Sequence, residues 1–415
     1  MAPIAATETA RTDPEAELLF YAALGDPTAE NLRPAYHALR DRAPALLLED
    51  GTLVLSGHAG CDAALRHRAL GKGSDMLGFQ FTGLPPERLE ELMSNVADSM
   101  IFANPPDHTR LRRLVSSAFT GRHVQELRGA VRERTAALLD RLADGPGTDF
   151  MTTVALPLPL NVIGDLLGIP DSDRAVVLPL AGSIGAVVSP DSTPEALADA
   201  VEATRAITDY ITDLLAHKRL HPGDDLLSRL ARSAEEDALR PEEVVSTAIL
   251  LFGAGFETTT NLLGNGLHAL LDNPAELAAL RADRSLMPTA IEELLRYDGT
   301  VQIDARTVLE PAVLQGVNLE PGTMVITLLG AANHDPARFT DPDRLDLSRT
   351  DNPHLSFAIG IHFCLGAHLA RLEADIVFTQ LLDRFPHLER TTPPTRRSGL
   401  ALRGFTHYPL TTAPA

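Results

Sequence analysis

The sequence predicts a mainly α-helical fold with a minor β portion, gathered into a single domain. Three observations lead there. Apolar residues recur at three- and four-residue steps along most of the chain; strand signals are confined to one hairpin and two short stretches; and no linker, internal repeat or low-complexity tract divides the 415 residues.

The elements follow in order. Residues 1–12 are Ala/Thr-rich and are expected to be disordered, leaving 13–415 as the folded domain. Two apolar runs around Asp50-Gly51, within 44–56, read as a hairpin. Helices are expected near 59–67, 107–118, 122–143, 150–167, 194–218, 241–272, 275–283, 286–297 and 364–384, with strands near 305–329 and 400–410. Segment 71–106, with mixed periodicity and Leu84-Pro85-Pro86 at its middle, reads as a mobile lid.

Composition removes several function classes. With 36 basic against 56 acidic residues the net charge is −20, which repels nucleic acid and anionic lipid. Two cysteines, Cys61 and Cys364, allow neither a disulfide framework nor paired Cys-x-x-Cys ligands, so a reducing cytoplasm is expected. The N-terminus lacks the long apolar core of a secretory signal, and the apolar stretch 175–190 is broken by Pro179, Ser183 and two glycines, so no membrane anchor is expected.

The most informative residue is Cys364, in Phe357-Ala358-Ile359-Gly360-Ile361-His362-Phe363-Cys364-Leu365-Gly366. A thiolate entering a helix N-terminus from a glycine-hinged loop is suited to be the axial ligand of a haem iron. Zinc is a poor alternative, because His362 and His368 with one cysteine fall short of four ligands. His362 reads instead as a donor to an anionic edge of the bound group.

The 241–272 helix would be about 48 Å long at 1.5 Å per residue, enough to cross a domain. At its middle, Gly253-Ala254-Gly255-Phe256-Glu257-Thr258-Thr259-Thr260 is a poor helix sequence and predicts a distortion. A kink would free a carbonyl, Gly255 would leave room for a small ligand, Thr258 would bond it and Glu257 would relay protons. The plainer alternative is a mobile helix whose threonines bond back to the preceding turn.

Glu293 and Arg296 share a helix face, and their apolar neighbours suggest a buried, fixed network. His108 and Arg112 also share a face; alone they read as a solvated basic surface, or as a clamp for carboxylates.

Together these segments resemble the cytochrome P-450 superfamily, its soluble bacterial class, from about residue 34 to 410. The cysteine loop is similar to the family pattern Phe-Gly-x-Gly-x-His-x-Cys-x-Gly, with Ala358 in place of the first glycine. The resemblance implies the family's triangular prism with a long central oxygen-binding helix. It implies haem b with Cys364 as axial ligand, Phe357 and Gly366 against the ring, and His108, Arg112, Arg306 and His362 on the propionates. Ala254 and Gly255 would border the oxygen site, and Glu257 and Thr258 would be the catalytic acid–alcohol pair. Glu293 and Arg296 would form a structural network completed by Arg344.

The activity implied is monooxygenation of a hydrophobic small molecule by dioxygen, as hydroxylation or epoxidation, with electrons from a ferredoxin and its reductase. The acidic chain would meet that partner through a local basic patch, with Arg110, Arg113 and Arg371 as candidates. A monomer acting on a polyketide or macrolide in antibiotic biosynthesis is the leading reading. The alternatives are a terpenoid or steroid hydroxylase, a peroxide-driven or radical-coupling haem-thiolate enzyme, and a non-catalytic haem sensor.

Overall fold

The computed structural model describes residues 10–25, 32–73, 98–143, 145, 147–184, 193–235, 239–397 and 401–413. Expectations for residues 1–9 of the N-terminus, 74–97 of the lid segment and 185–190 of the apolar stretch therefore lie outside the described residues. The chain forms two compact units. The first comprises Met1–Leu77, His268–Cys364 and Arg396–Arg403; the second comprises Gly78–Leu267, Leu365–Thr395 and Gly404–Ala415.

In the first unit the Asp50-Gly51 turn closes a hairpin in which Ala45–Leu47 pairs antiparallel with Leu53–Leu55, Gly51 supplying φ +86°. The hairpin extends into a five-stranded sheet in the order Ala45–Leu47, Leu53–Leu55, Met324–Leu328, Ile303–Val308, Leu70–Gly71. Leu53, Leu55, Leu65, Val308 and Val325 pack on one side of it. Phe20, Tyr36, Leu39, Val54 and Ile326 form a second cluster with helices Pro14–Gly25 and Arg33–Arg42.

The second unit is mostly helical, with a small sheet in which Pro409–Ala413 lies between Thr148–Asp149 and His387–Arg390. The expected 150–167 helix divides: Met151–Ala155 is a π turn, and an α-helix follows from Pro157 to Leu167. Pro157 and Pro159 have no N–H to donate, so the preceding turn closes through the wider Leu156 N–H to Met151 carbonyl bond at 2.9 Å.

The expected 122–143 helix also divides, into Gly121–Glu126 and Arg128–Leu142. The long helix runs Pro241–Asp272, and Ala367–Arg384 follows the cysteine loop. Among the described residues no helix is long and apolar enough to cross a membrane.

Candidate active site

The first unit carries Cys364, His362, Phe357 and Arg306. The cysteine loop is shaped by two left-handed residues, Ala358 at φ +50° and Gly360 at φ +75°, followed by a 3-10 turn over Gly360–His362. Its backbone closes on itself: Ala358 N–H donates to Leu355 at 2.8 Å, and Cys364 N–H to Phe357 at 2.9 Å. Gly360 is doubly required, since a Cβ there would also lie 2.6 Å from the Leu65 carbonyl.

The two thiols differ sharply. Cys61 is buried, donates to the Leu55 carbonyl at 3.3 Å, and has its pKa driven far up by burial, so it is inert. Cys364 is half-exposed at the end of the loop. Phe357 is buried and stands edge-on to Phe363 with ring centroids 6.3 Å apart.

Ala358 is the loop's departure from the resembling pattern, and the left-handed φ shows what it does. A non-glycine residue there costs about 1–2 kcal/mol, while glycine returns about 0.4–1 kcal/mol through the freer unfolded chain. Ala358→Gly is therefore expected to stabilise the protein by about 0.5–1 kcal/mol, read as a higher urea midpoint at unchanged slope. A lower midpoint would show that the alanine methyl contributes packing.

Arg306 lies on strand Ile303–Val308 and is 2 % exposed. Its Nη1 donates to Asp304 at 2.5 Å and to the Ala305 carbonyl at 2.9 Å. Its Nη2 is buried with no hydrogen-bond partner among the described residues. A buried, unmatched guanidinium nitrogen is what a site for an external carboxylate requires.

In the second unit His108 and Arg112 stand one turn apart on helix Asp107–Ser116, His108 buried and Arg112 half-buried. Burial, helped by the Arg112 charge, pushes the His108 pKa down, so the imidazole is neutral at neutral pH. Gly366 opens onto empty space: a Cβ there would meet nothing within 4 Å.

Helix Pro241–Asp272 corrects two expectations. It is continuous, with no break at its centre, and the Thr258 hydroxyl donates back to the Ala254 carbonyl at 3.0 Å. Gly255 does not leave room, because a Cβ on it would lie 2.7 Å from Ile163; its hydrogen permits close helix packing. The open position is Gly253, where a Cβ would meet nothing within 4 Å. Between Glu243 and Leu271 the one exposed residue is Ala254, and Gly253, Glu257 and Thr258 beside it are half-buried.

Arg110 was a docking candidate and is otherwise engaged. It grips Glu243 at 2.9 and 2.5 Å and Asp107 at 3.0 Å. Chiefly through the Arg110 hydrogen bonds, the Glu243 carboxyl is lowered to about 2. Sequence reasoning could not pair residues so far apart in the chain.

The structural network is present with one change of member. Arg296 and Glu293 are both fully buried and paired at 2.8 Å through two parallel bonds. The further arginine on Glu293 is Arg349, at 3.1 Å, whereas Arg344 offers its carbonyl to Arg296 and turns a largely exposed side chain toward Glu276. A cavity of about 200 Å³ in the first unit, lined by Arg33, Tyr36, His268, Asp298 and Arg403 among others, includes none of the predicted cofactor or catalytic residues.

Fold and site define a mainly helical protein whose one accessible described thiol ends a loop with two left-handed residues, and whose buried Arg306 keeps one guanidinium nitrogen without a hydrogen-bond partner among the described residues. The family model for cytochrome P450 matches residues 195–407. Cytochrome P450 107B1 of Saccharopolyspora erythraea is 43 % identical over 78 % of this chain and 80 % of its own length. The 6-deoxyerythronolide B hydroxylase of the same organism is 36 % identical over 90 % of this chain and 94 % of its own. Among solved structures, P450BioI in complex with an acyl carrier protein ligated to hexadec-9Z-enoic acid superposes with a TM-score of 0.86 at 33 % identity, covering 92 % of this chain and 98 % of that one. The chain belongs to the cytochrome P450 family and has its fold; that family implies a haem-thiolate cofactor.

Proposed function

We propose that this protein is a monooxygenase that inserts one atom of dioxygen into a hydrophobic small molecule, by hydroxylation or epoxidation, as a tailoring step on a polyketide or macrolide. The observation that carries the reading is Cys364: a half-exposed thiol in a loop whose two left-handed residues hold it in place. The hydroxylase similarity supports the substrate class. The two units are read as serving one domain over 13–415, a cytoplasmic monomer.

Cys364 would ligate haem b, with Arg306, His108, Arg112 and His362 on its carboxylates and Phe357, Gly366 and Ala254 beside it. That group, when bound, supplies dioxygen activation. The chain's own part is proton handling. Thr258 Oγ1 can exchange its bond to Ala254 for one to an incoming oxygen atom, and the half-buried Glu257 carboxylate can pass protons inward from solvent.

Electrons are assigned to a ferredoxin with its reductase. In the second unit, exposed Arg113 and Arg122 and half-exposed Arg371 lie on helices that pack through the Ser117–Phe119 turn and the His368–Gly121 contact. These arginines, on an acidic chain, are the cations proposed to meet an acidic donor.

Thr258→Ala tests the dioxygen reading. Alanine is the better helix former, so the fold should hold. Product formed per electron pair is expected to fall about tenfold or more, with hydrogen peroxide released instead. Unchanged coupling would favour peroxide-driven chemistry.

A further inference from the structure

In the first unit, Leu70 pairs with Val308 and Gly71 with Thr307. Continuing that register by one residue sets Lys72 opposite Arg306, two cations face to face, which by itself is destabilising. Chain approach is close here: a Cβ on Gly73 would lie 2.7 Å from the Thr307 hydroxyl. Both cations are buried, 7 % and 2 % exposed. They converge on the same two oxygens. Lys72 Nζ donates to Asp304 Oδ1 at 2.6 Å and to the Ala305 carbonyl at 3.0 Å. Arg306 Nη1 reaches that carboxylate oxygen at 2.5 Å and that carbonyl at 2.9 Å.

An aspartate alone with an arginine takes the planar fork through two parallel bonds and uses up its charge. Asp304 does not do so. It is held by Lys72, meets Arg306 only through Nη1, and leaves Nη2 buried without a hydrogen-bond partner among the described residues. Burial opposes the Asp304 charge, yet Lys72 and Arg306 more than offset it and keep the carboxyl ionised well below its ordinary range. Two cations on one anion leave the trio with one positive charge.

We propose that Lys72 is a positioning residue of the cofactor site: it engages Asp304 so that Arg306 keeps both a net charge and a free nitrogen for a carboxylate of the haem. This rests on the haem-thiolate reading above. Arg306 makes the contact, and Lys72 acts through Asp304.

The test measures haem release from the ferric holoenzyme to excess apomyoglobin, with far-UV circular dichroism and a urea midpoint for every variant. Lys72→Met, which lets Asp304 neutralise Arg306, is expected to release haem about tenfold faster. Lys72→Arg should release at the wild-type rate. Asp304→Asn should release no faster than wild type, and adding it to Lys72→Met should restore slow release, because one positive charge returns. If Lys72 only staples two strands, Asp304→Asn will be as leaky as Lys72→Met and the double variant no better; either result overturns the proposal. The reading beneath it fails separately: wild-type protein whose reduced, carbon-monoxide-bound form lacks the long-wavelength band of sulfur ligation refutes the thiolate assignment. A normal band with release rates that ignore Lys72 refutes this inference alone.

Discussion

Cys364→Ser is expected to leave the fold intact while product formation falls by at least about a hundredfold, which corresponds to about 2.7 kcal/mol of barrier. The fold should persist because serine keeps the backbone N–H bond to the Phe357 carbonyl and because the residue is only half-buried. Under the ligand assignment proposed above, what serine would remove is the sulfur's electron donation to iron. Reduced wild-type protein under carbon monoxide should show the long-wavelength Soret absorption of sulfur ligation, and the serine variant should not. Cys61→Ser is the matched control. Its thiol is buried with a pKa far above neutral, so the band should be unaffected. If the band survives in Cys364→Ser, the assignment of the ligand is wrong.

The parts of this molecule legible in the sequence are those encoded locally. Asp50-Gly51 announces its hairpin through glycine's freedom at positive φ, and the apolar period of 241–272 gives that helix its observed bounds. The cysteine loop is legible for the same reason, since its glycines and its single cysteine lie within ten residues. Helix Arg33–Arg42 was missed although the pattern was there: Tyr36, Leu39 and Arg40 are buried at helical spacing beneath a strongly charged surface.

Other features depend on who the neighbour is. Whether Gly253 or Gly255 faces open space is decided by Ile163, about ninety residues upstream, and local composition treats the two glycines alike. Arg110 looked available for a partner because nothing near it in the chain announces Glu243. The choice between Arg344 and Arg349 turns on an irregular segment without period. Asp341 sits at φ +45°, the Pro342 and Arg344 carbonyls turn inward to Arg296, and the Arg344 side chain is thereby directed out.

That segment is also the ground for the largest stability effect we expect. Every N–H of the Arg296 guanidinium has an acceptor: Nε and one Nη2 hydrogen go to Glu293 at 2.8 Å, Nη1 to Asn333 and Pro342 at 2.8 and 2.7 Å, and Nη2 also to Arg344 at 3.3 Å. Glu293 in turn accepts from Asp346 N–H, Arg349 and Asn352 at 3.0, 3.1 and 3.2 Å. Arg296→Met removes both bonds of the fork from a buried carboxylate and the donor of three carbonyls at once, which should destabilise the protein by about 3–5 kcal/mol. Against a typical total of about 5–15 kcal/mol, that is enough to compromise folding, and urea unfolding of purified protein measures it. Lysine cannot substitute, because one ammonium has three donors and no planar fork. Arg344→Ala supplies the discriminating comparison. Its exposed side chain stands 4.0 Å from Glu276, so removing it should shift stability by no more than about 0.5 kcal/mol, whereas Arg349→Ala removes a direct partner of Glu293 and should cost about 1–3 kcal/mol. If Arg344→Ala proved as damaging as Arg349→Ala, the side chain and not its carbonyl would be the member of the network, and the exchange of roles read from the geometry would be wrong.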